Sequence, residues 1–277
     1  MINNVKAVVF DWAGTTVDFG SRAPVLAMMQ VFAAAGAPLT EAAVRRYMGY
    51  AKRDHVLALL GEADIALAWS RAHGRAWTEA GVDELMKALD PVLAQIASDC
   101  STLIPGAAQV VGWLREQGVG IGSTTGYTRS MMTGIVASAA AQGYQPDAIV
   151  CAGDTPQGRP APFMIWQALA TLGVWPTSAC IVVDDAPVGV AAGVNAGTWT
   201  VGVAASGNGV GLSLDAFDAL DASAQAKALA SAVEAFIRQR ADFVIASVAD
   251  LPLVLPRIEE WIGQGRQPGA APTEVLV

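Results

Sequence analysis

The chain has 277 residues, 53% of them hydrophobic and only 15% charged, with a formal net charge of −8 and two histidines. That is enough apolar material for one large domain or a core with a smaller insertion, and Lys and Arg are too scattered for a nucleic-acid surface. No apolar run approaches the roughly 20 residues of a membrane span, and Ala7 to Phe10 is too short for a secretory signal. The three cysteines, Cys100, Cys151 and Cys180, show no C-x-x-C spacing and fit buried thiols in a reducing compartment. The expectation is a soluble cytoplasmic protein.

Short apolar, β-branched runs recur along the chain: Val5–Phe10, Val119–Ser123, Ala148–Ala152, Cys180–Val183, Trp199–Val203 and Phe243–Ala246. Several are continuously apolar, as strands covered on both faces are. Between them the pattern predicts helices that stop at glycine: Ala107–Gln117, Arg129–Gln142 and Pro162–Leu172. This alternation predicts an α/β fold with a parallel sheet. Residues 21–100 break the rhythm and read as helices only, over Pro24–Ala35, Glu41–Tyr47, Lys52–Leu60, Ala63–Ala80 and Val82–Ser98. The economical division is a core of residues 1–20 and 101–277 with a helical insertion over 21–100. The Gly/Pro/Ala-rich tail 263–277 reads as loosely ordered.

In a parallel sheet, ligands collect at the carboxyl ends of the strands. The predicted strands deliver Asp11 there, then Ser123-Thr124-Thr125-Gly126, then a loop carrying Arg159, then Asp184-Asp185. A carboxylate can attack phosphorus, paired carboxylates can hold Mg²⁺, and Thr125 and Arg159 can bind phosphate oxygens. Taken singly, Asp11 reads equally as a helix cap, Thr125 as a turn hydroxyl, Arg159 as a surface charge and Asp184 as half of a solvated pair. Together, in order and at strand ends, they point to phosphoryl transfer.

The segments "DWAGTT", "STTGYT", "GRPAP" and "VVDDAPVGVAAGVNAGTWTVGV" resemble the four motifs of the haloacid dehalogenase superfamily and, within it, the phosphonoacetaldehyde hydrolases, or phosphonatases. The resemblance runs from the first strand to about Ala204 and implies a Rossmann-like three-layer core with a helical cap. Phosphatases of the superfamily usually carry a second aspartate where Ala13 stands, to protonate a departing alkoxide. Ala13 cannot do so. Either the chain is a crippled phosphatase, or its leaving group takes no proton from this position, as when a C–P bond breaks and carbon leaves with the electrons.

The insertion segment "YMGYAKRDHV", residues 47–56, resembles the family's imine-forming segment. The resemblance implies that Lys52 condenses with the aldehyde, with His55 and Met48 beside it. It assigns Thr125, Gly126, Arg159, Gly49 and Tyr127 to the substrate, and Asp11, Ala13 through its carbonyl and Asp185 to Mg²⁺, with Asp184 behind them. Nearby Arg45, Arg46 and Arg53, with partial burial, are expected to lower the lysine pKa. His73 lies in no such motif and reads as structural. Ser21 stands where some relatives have Cys, and Gly189 where other members have a further aspartate. A homodimer is expected by resemblance. Another phosphonate or phosphate ester as substrate, or a phosphate-binding protein without turnover, remain the alternatives.

Overall fold

The computed structural model describes residues 2–277. Its strands are β1 (Ala7–Phe10), β2 (Gly120–Thr124), β3 (Ala148–Val150), β4 (Cys180–Asp184), β5 (Trp199–Val203), β6 (Phe243–Ile245) and β7 (Glu274–Leu276). All pair in parallel, in the order β3-β2-β1-β4-β5-β6-β7. Alternate residues of the central strands serve opposite faces. Val8 and Phe10, with Ile121, Ile181 and Val183, join one core cluster; Ala7 and Val9, with Cys180 and Val182, join another. Continuous apolar strands are what a sheet sandwiched between helices requires.

Between β1 and β2 run α1 (Arg22–Ala34), α2 (Glu41–Arg45), α3 (Lys52–Leu60), α4 (Ala63–His73) and α5 (Glu79–Cys100), the helical insertion that the missing strands predicted. Two boundaries differ from expectation. The chain stops α4 at His73 with a left-handed Gly74, and α5 starts earlier, at Glu79, and continues through Pro91. The ring of His73 stacks on Trp69 and its Nε2 meets the Ala35 carbonyl at 2.9 Å, a structural role.

The remaining helices are α6 (Ala107–Glu116), α7 (Arg129–Ala141), α8 (Phe163–Leu172), α9 (Pro187–Ala196), α10 (Leu214–Asp218), α11 (Ala222–Arg238) and α12 (Leu251–Gly263). Helix α8 and the inner face of α9 cover one side of the sheet, while α6, α7 and α12 cover the other.

The tail departs from expectation. Instead of loose chain, Glu274–Leu276 forms β7 against β6. Buried Asp242, just before β6, accepts the Gly269 amide at 2.7 Å and the Thr200 amide at 2.8 Å. Composition conceals this, because the tail is held by one distant carboxylate and by backbone pairing rather than by its own apolar content.

Candidate active site

The register of the three central strands builds the site. Phe10 lies beside Ser123 on one neighbour and Val183 on the other. The next residues, Asp11, Thr124-Thr125 and Asp184-Asp185, therefore share the carboxyl edge of the sheet. Carboxylate oxygens of Asp11, Asp184 and Asp185 all lie within 4.8 Å of one another. Each residue is buried, Asp11 being 7% exposed.

Arg159 is the cation set among them. Its Nη2 donates to Asp11 Oδ1 at 2.7 Å and to Thr124 Oγ1 at 2.8 Å, and lies 3.2 Å from Asp184 Oδ2. Burial works against the Arg159 charge, but the carboxylates of Asp184, Asp11 and Asp185 outweigh it and raise its pKa. Burial raises the pKa of Asp184, opposed by Arg159 and reinforced by Asp11. Asp185 is raised further, by burial and then by the negative charges of Asp11 and Asp184. One guanidinium does not compensate three buried carboxylates.

Two loop details fix the aspartates. Asp184 Oδ1 accepts the Ala186 amide at 2.9 Å. Its carboxylate lies where a side chain at position 189 would begin, about 2.0 Å from a Cβ there, so Gly189 makes room for Asp184. An aspartate at that position would displace it. Asp185 Oδ2 accepts the Asn208 amide at 2.7 Å.

The helical insertion closes over this edge. A cavity of about 20 Å³ is lined by Asp11, Ala13, Met48, Gly49, Lys52, Thr125, Gly126, Tyr127, Arg159 and Asp185, among others. Ten of the eleven residues predicted for the site thus surround one space. His55 does not line it. Its ring stands one turn further along α3, with Nε2 against the Val44 carbonyl at 2.9 Å and its edge toward Tyr47. Burial, with Lys52 beside it, lowers its pKa to about 3, so the imidazole is neutral. Nδ1 is buried with no hydrogen-bond partner among the described residues.

Lys52 opens α3, 3% exposed, with Nζ 4.7 Å from the centre of the Tyr127 ring. Burial drives its pKa down to about 8; Asp11 and Asp185 oppose the shift and Arg159 adds to it. The arginines expected to do this are engaged elsewhere. Arg46 pairs with Glu62 at 2.8 Å, Arg53 pairs with Glu79 and Asp83, and Arg45 pairs with Glu41 at 2.7 Å. The cation that counts comes from the core, from Arg159.

At Gly126, contact between insertion and core is backbone on backbone. The Lys52 amide donates to the Gly126 carbonyl at 3.1 Å. A Cβ on Gly126 would lie 2.4 Å from the Tyr50 carbonyl oxygen, which only glycine permits. Sequence reasoning placed Thr124 at the strand end without a role, where it holds Arg159, and missed Asn208, which holds Asp185. Asn208 sits in the glycine-rich loop after β5, where the strand-end rule, carried one strand further, would have pointed.

Residues 5–197 match the family model described as haloacid dehalogenase-like hydrolase. The phosphonoacetaldehyde hydrolase of Paraburkholderia phytofirmans is 45% identical over 96% of this chain and 100% of its own length. That of Hahella chejuensis is 42% identical over 95% of this chain and 90% of its own. The crystal structure of a phosphonoacetaldehyde hydrolase-like protein from Oleispira antarctica superposes with a TM-score of 0.94 at 38% identity, covering 96% of this chain and 97% of that one.

Proposed function

This chain belongs to the haloacid dehalogenase-like hydrolase family and, within it, groups with the phosphonoacetaldehyde hydrolases; from that premise we propose that it hydrolyses the C–P bond of phosphonoacetaldehyde to acetaldehyde and phosphate, in phosphonate breakdown. The observation that carries the reading is one juxtaposition. A buried lysine with its pKa lowered to about 8 shares a cavity with Asp11, while position 13 offers a methyl group and no acid. In this reading residues 21–100 are the cap, and residues 1–20 with 101–277 are the core.

The Lys52 amine attacks the aldehyde carbon, water leaves, and a protonated imine forms. An Asp11 carboxylate oxygen attacks phosphorus. The C–P electron pair moves into a new C=C bond and neutralises the iminium nitrogen, leaving an enamine on Lys52 and a phosphoryl group on Asp11. Water attacks the aspartyl phosphate, releasing phosphate and the Asp11 carboxylate. The enamine is protonated at carbon, and water hydrolyses the resulting imine to acetaldehyde and free Lys52.

At pH 7 a lysine with a pKa near 8 is about one-tenth free amine, against roughly three parts in ten thousand at the ordinary value. Arg159, Thr125 and the Gly126 backbone hold the phosphonate oxygens, and the Tyr127 ring fixes Lys52 from below. Met48 and Gly49 close the cavity from the insertion side. His55, neutral and behind Lys52, is held by its Nε2 on the Val44 carbonyl and supports the start of α3 from within the insertion.

The crowded carboxylates fit a hard divalent cation. The donors are all oxygen, and Asp184 and Asp185 have pKa values raised first by burial and then by neighbouring carboxylate charge. Asp11, the Ala13 carbonyl and Asp185, with Asp184 behind, would hold Mg²⁺, which offsets repulsion between carboxylate and phosphonate. Among the described residues no helix is long and apolar enough to cross a membrane; a cytoplasmic homodimer is the state we propose.

The test is borohydride trapping. Reduction in the presence of phosphonoacetaldehyde is expected to add a two-carbon adduct to Lys52, found by peptide mass, and to stop acetaldehyde release. Acetaldehyde release is expected to require Mg²⁺. Full activity in Lys52→Arg would overturn the imine route.

A further inference from the structure

Arg45 was expected to act on the lysine, but it faces away from it, toward the loop after β5. Its Nη1 donates to the Gly20 carbonyl at 3.0 Å and to Asn208 Oδ1 at 3.0 Å, and its Nη2 donates to the Gly211 carbonyl at 2.9 Å. Asn208 answers with its own side chain, donating Nδ2 to the Arg45 carbonyl at 3.0 Å. The Arg45 side chain is 15% exposed, against 58% for Arg46 next to it.

The same loop reaches the catalytic carboxylates. The Asn208 amide donates to Asp185 Oδ2 at 2.7 Å. Ser206 Oγ donates to the Gly14 carbonyl at 2.7 Å, and the Gly20 amide donates to the Ser206 carbonyl at 2.7 Å. Residues 206–211 thus join three things: the turn after β1, the end of α2 in the insertion, and Asp185. One guanidinium, with donors in a fixed fork, ties α2 to Gly20 and to the loop at Asn208 and Gly211, and the Asn208 amide carries the link on to Asp185.

We propose that Arg45, acting through the 206–211 loop and the Asn208 amide, is a positioning residue that makes cation binding at Asp185 depend on docking of the helical insertion. With α2 docked, Arg45 holds the loop and the Asn208 amide orients the Asp185 carboxylate toward Asp11. With α2 withdrawn, the loop loses the donors that span it and Asp185 loses its orienting amide. The inference rests on the reading of Asp11 and Asp185 as cation ligands.

The experiment titrates Mn²⁺ into the full-length protein, with free ion followed by electron paramagnetic resonance. The proteins compared are wild type, Arg45→Ala, Arg45→Lys and Arg46→Ala. Outer partners of metal ligands typically carry 10–100-fold in affinity, so Arg45→Ala is expected to bind Mn²⁺ about tenfold or more weakly. Arg45→Lys, which cannot span the three acceptors, should recover only part of the loss, and Arg46→Ala should match wild type. Added guanidinium ion should restore affinity to Arg45→Ala. Hydrogen exchange at the Asn208 amide should quicken in Arg45→Ala while β4 stays protected, which separates a freed loop from an unfolded chain. Mn²⁺ affinity in Arg45→Ala within twofold of wild type would sink the positioning role alone. A wild-type protein that binds no Mn²⁺ would sink the cation site and the coupling together.

Discussion

Two buried acidic sites sit at opposite edges of the same sheet. At the carboxyl edge, Asp11, Asp184 and Asp185 face one another with one guanidinium between them. At the amino edge, Asp242 is alone and accepts from the Thr200 amide, the Thr200 hydroxyl and the Gly269 amide. The residue type and the burial are alike; the partners are not. A carboxylate surrounded by backbone donors fastens chain to chain, whereas carboxylates surrounded by carboxylates hold repulsion that a bound cation would relieve.

The largest expected effect comes from breaking the strained cluster. Asp11→Asn should lower kcat for acetaldehyde release by on the order of 10⁴-fold or more, with no loss of Tm, since it removes a crowded negative charge. A clear drop in Tm would mean that the cluster is as structural as Asp242. Next is the contact that closes the site. Gly126→Ala drives a methyl group into the Tyr50 carbonyl, and a displacement of about 1 Å is enough for roughly 10²-fold in kcat/KM. Wild-type rates in that variant would show that the insertion need not seat so closely.

The pH profile follows in size. The proposed mechanism has Lys52 react as the free amine, and its pKa is lowered to about 8. Below that pH, activity should fall about tenfold per unit, and above it level off. A profile flat from pH 6 to 9 would contradict an amine nucleophile. Smallest is Asp242→Asn, which should lower stability by about 1–3 kcal/mol by weakening three donors' acceptor, read by urea unfolding. Activity at 25 °C should be untouched. Lost activity there would erase the distinction between the two edges.

Much of this was legible in the chain itself. Period and turn residues marked six strands within a residue or two, because strands covered on both faces are mostly apolar along their length. The strand-end rule assembled Asp11, Thr125, Arg159 and Asp185 before any coordinates. Three things stayed hidden because they depend on pairs distant in sequence. Strand β7 is visible only through Asp242, 32 residues before it. Arg45 looked like a neighbour of Lys52 because both belong to one short segment, but the turn at Gly49 sends them to different partners. His55 shares the helix of Lys52, yet its ring is claimed by Val44 and Tyr47.

Ala13 has a consequence for a crowded metabolite pool. In the proposed reading Thr125, Gly126 and Arg159 meet only the PO₃ end of a ligand, so phosphate esters would compete for them on nearly equal terms with phosphonates. An ester seated there would have to expel a bare alkoxide, since position 13 donates no proton. On that reading such molecules would be bystanders that occupy the pocket and depart unchanged. Discrimination would then lie in turnover rather than in affinity, and a single withheld carboxyl group would shield the cell's phosphate esters from the proposed phosphoryl-transfer centre.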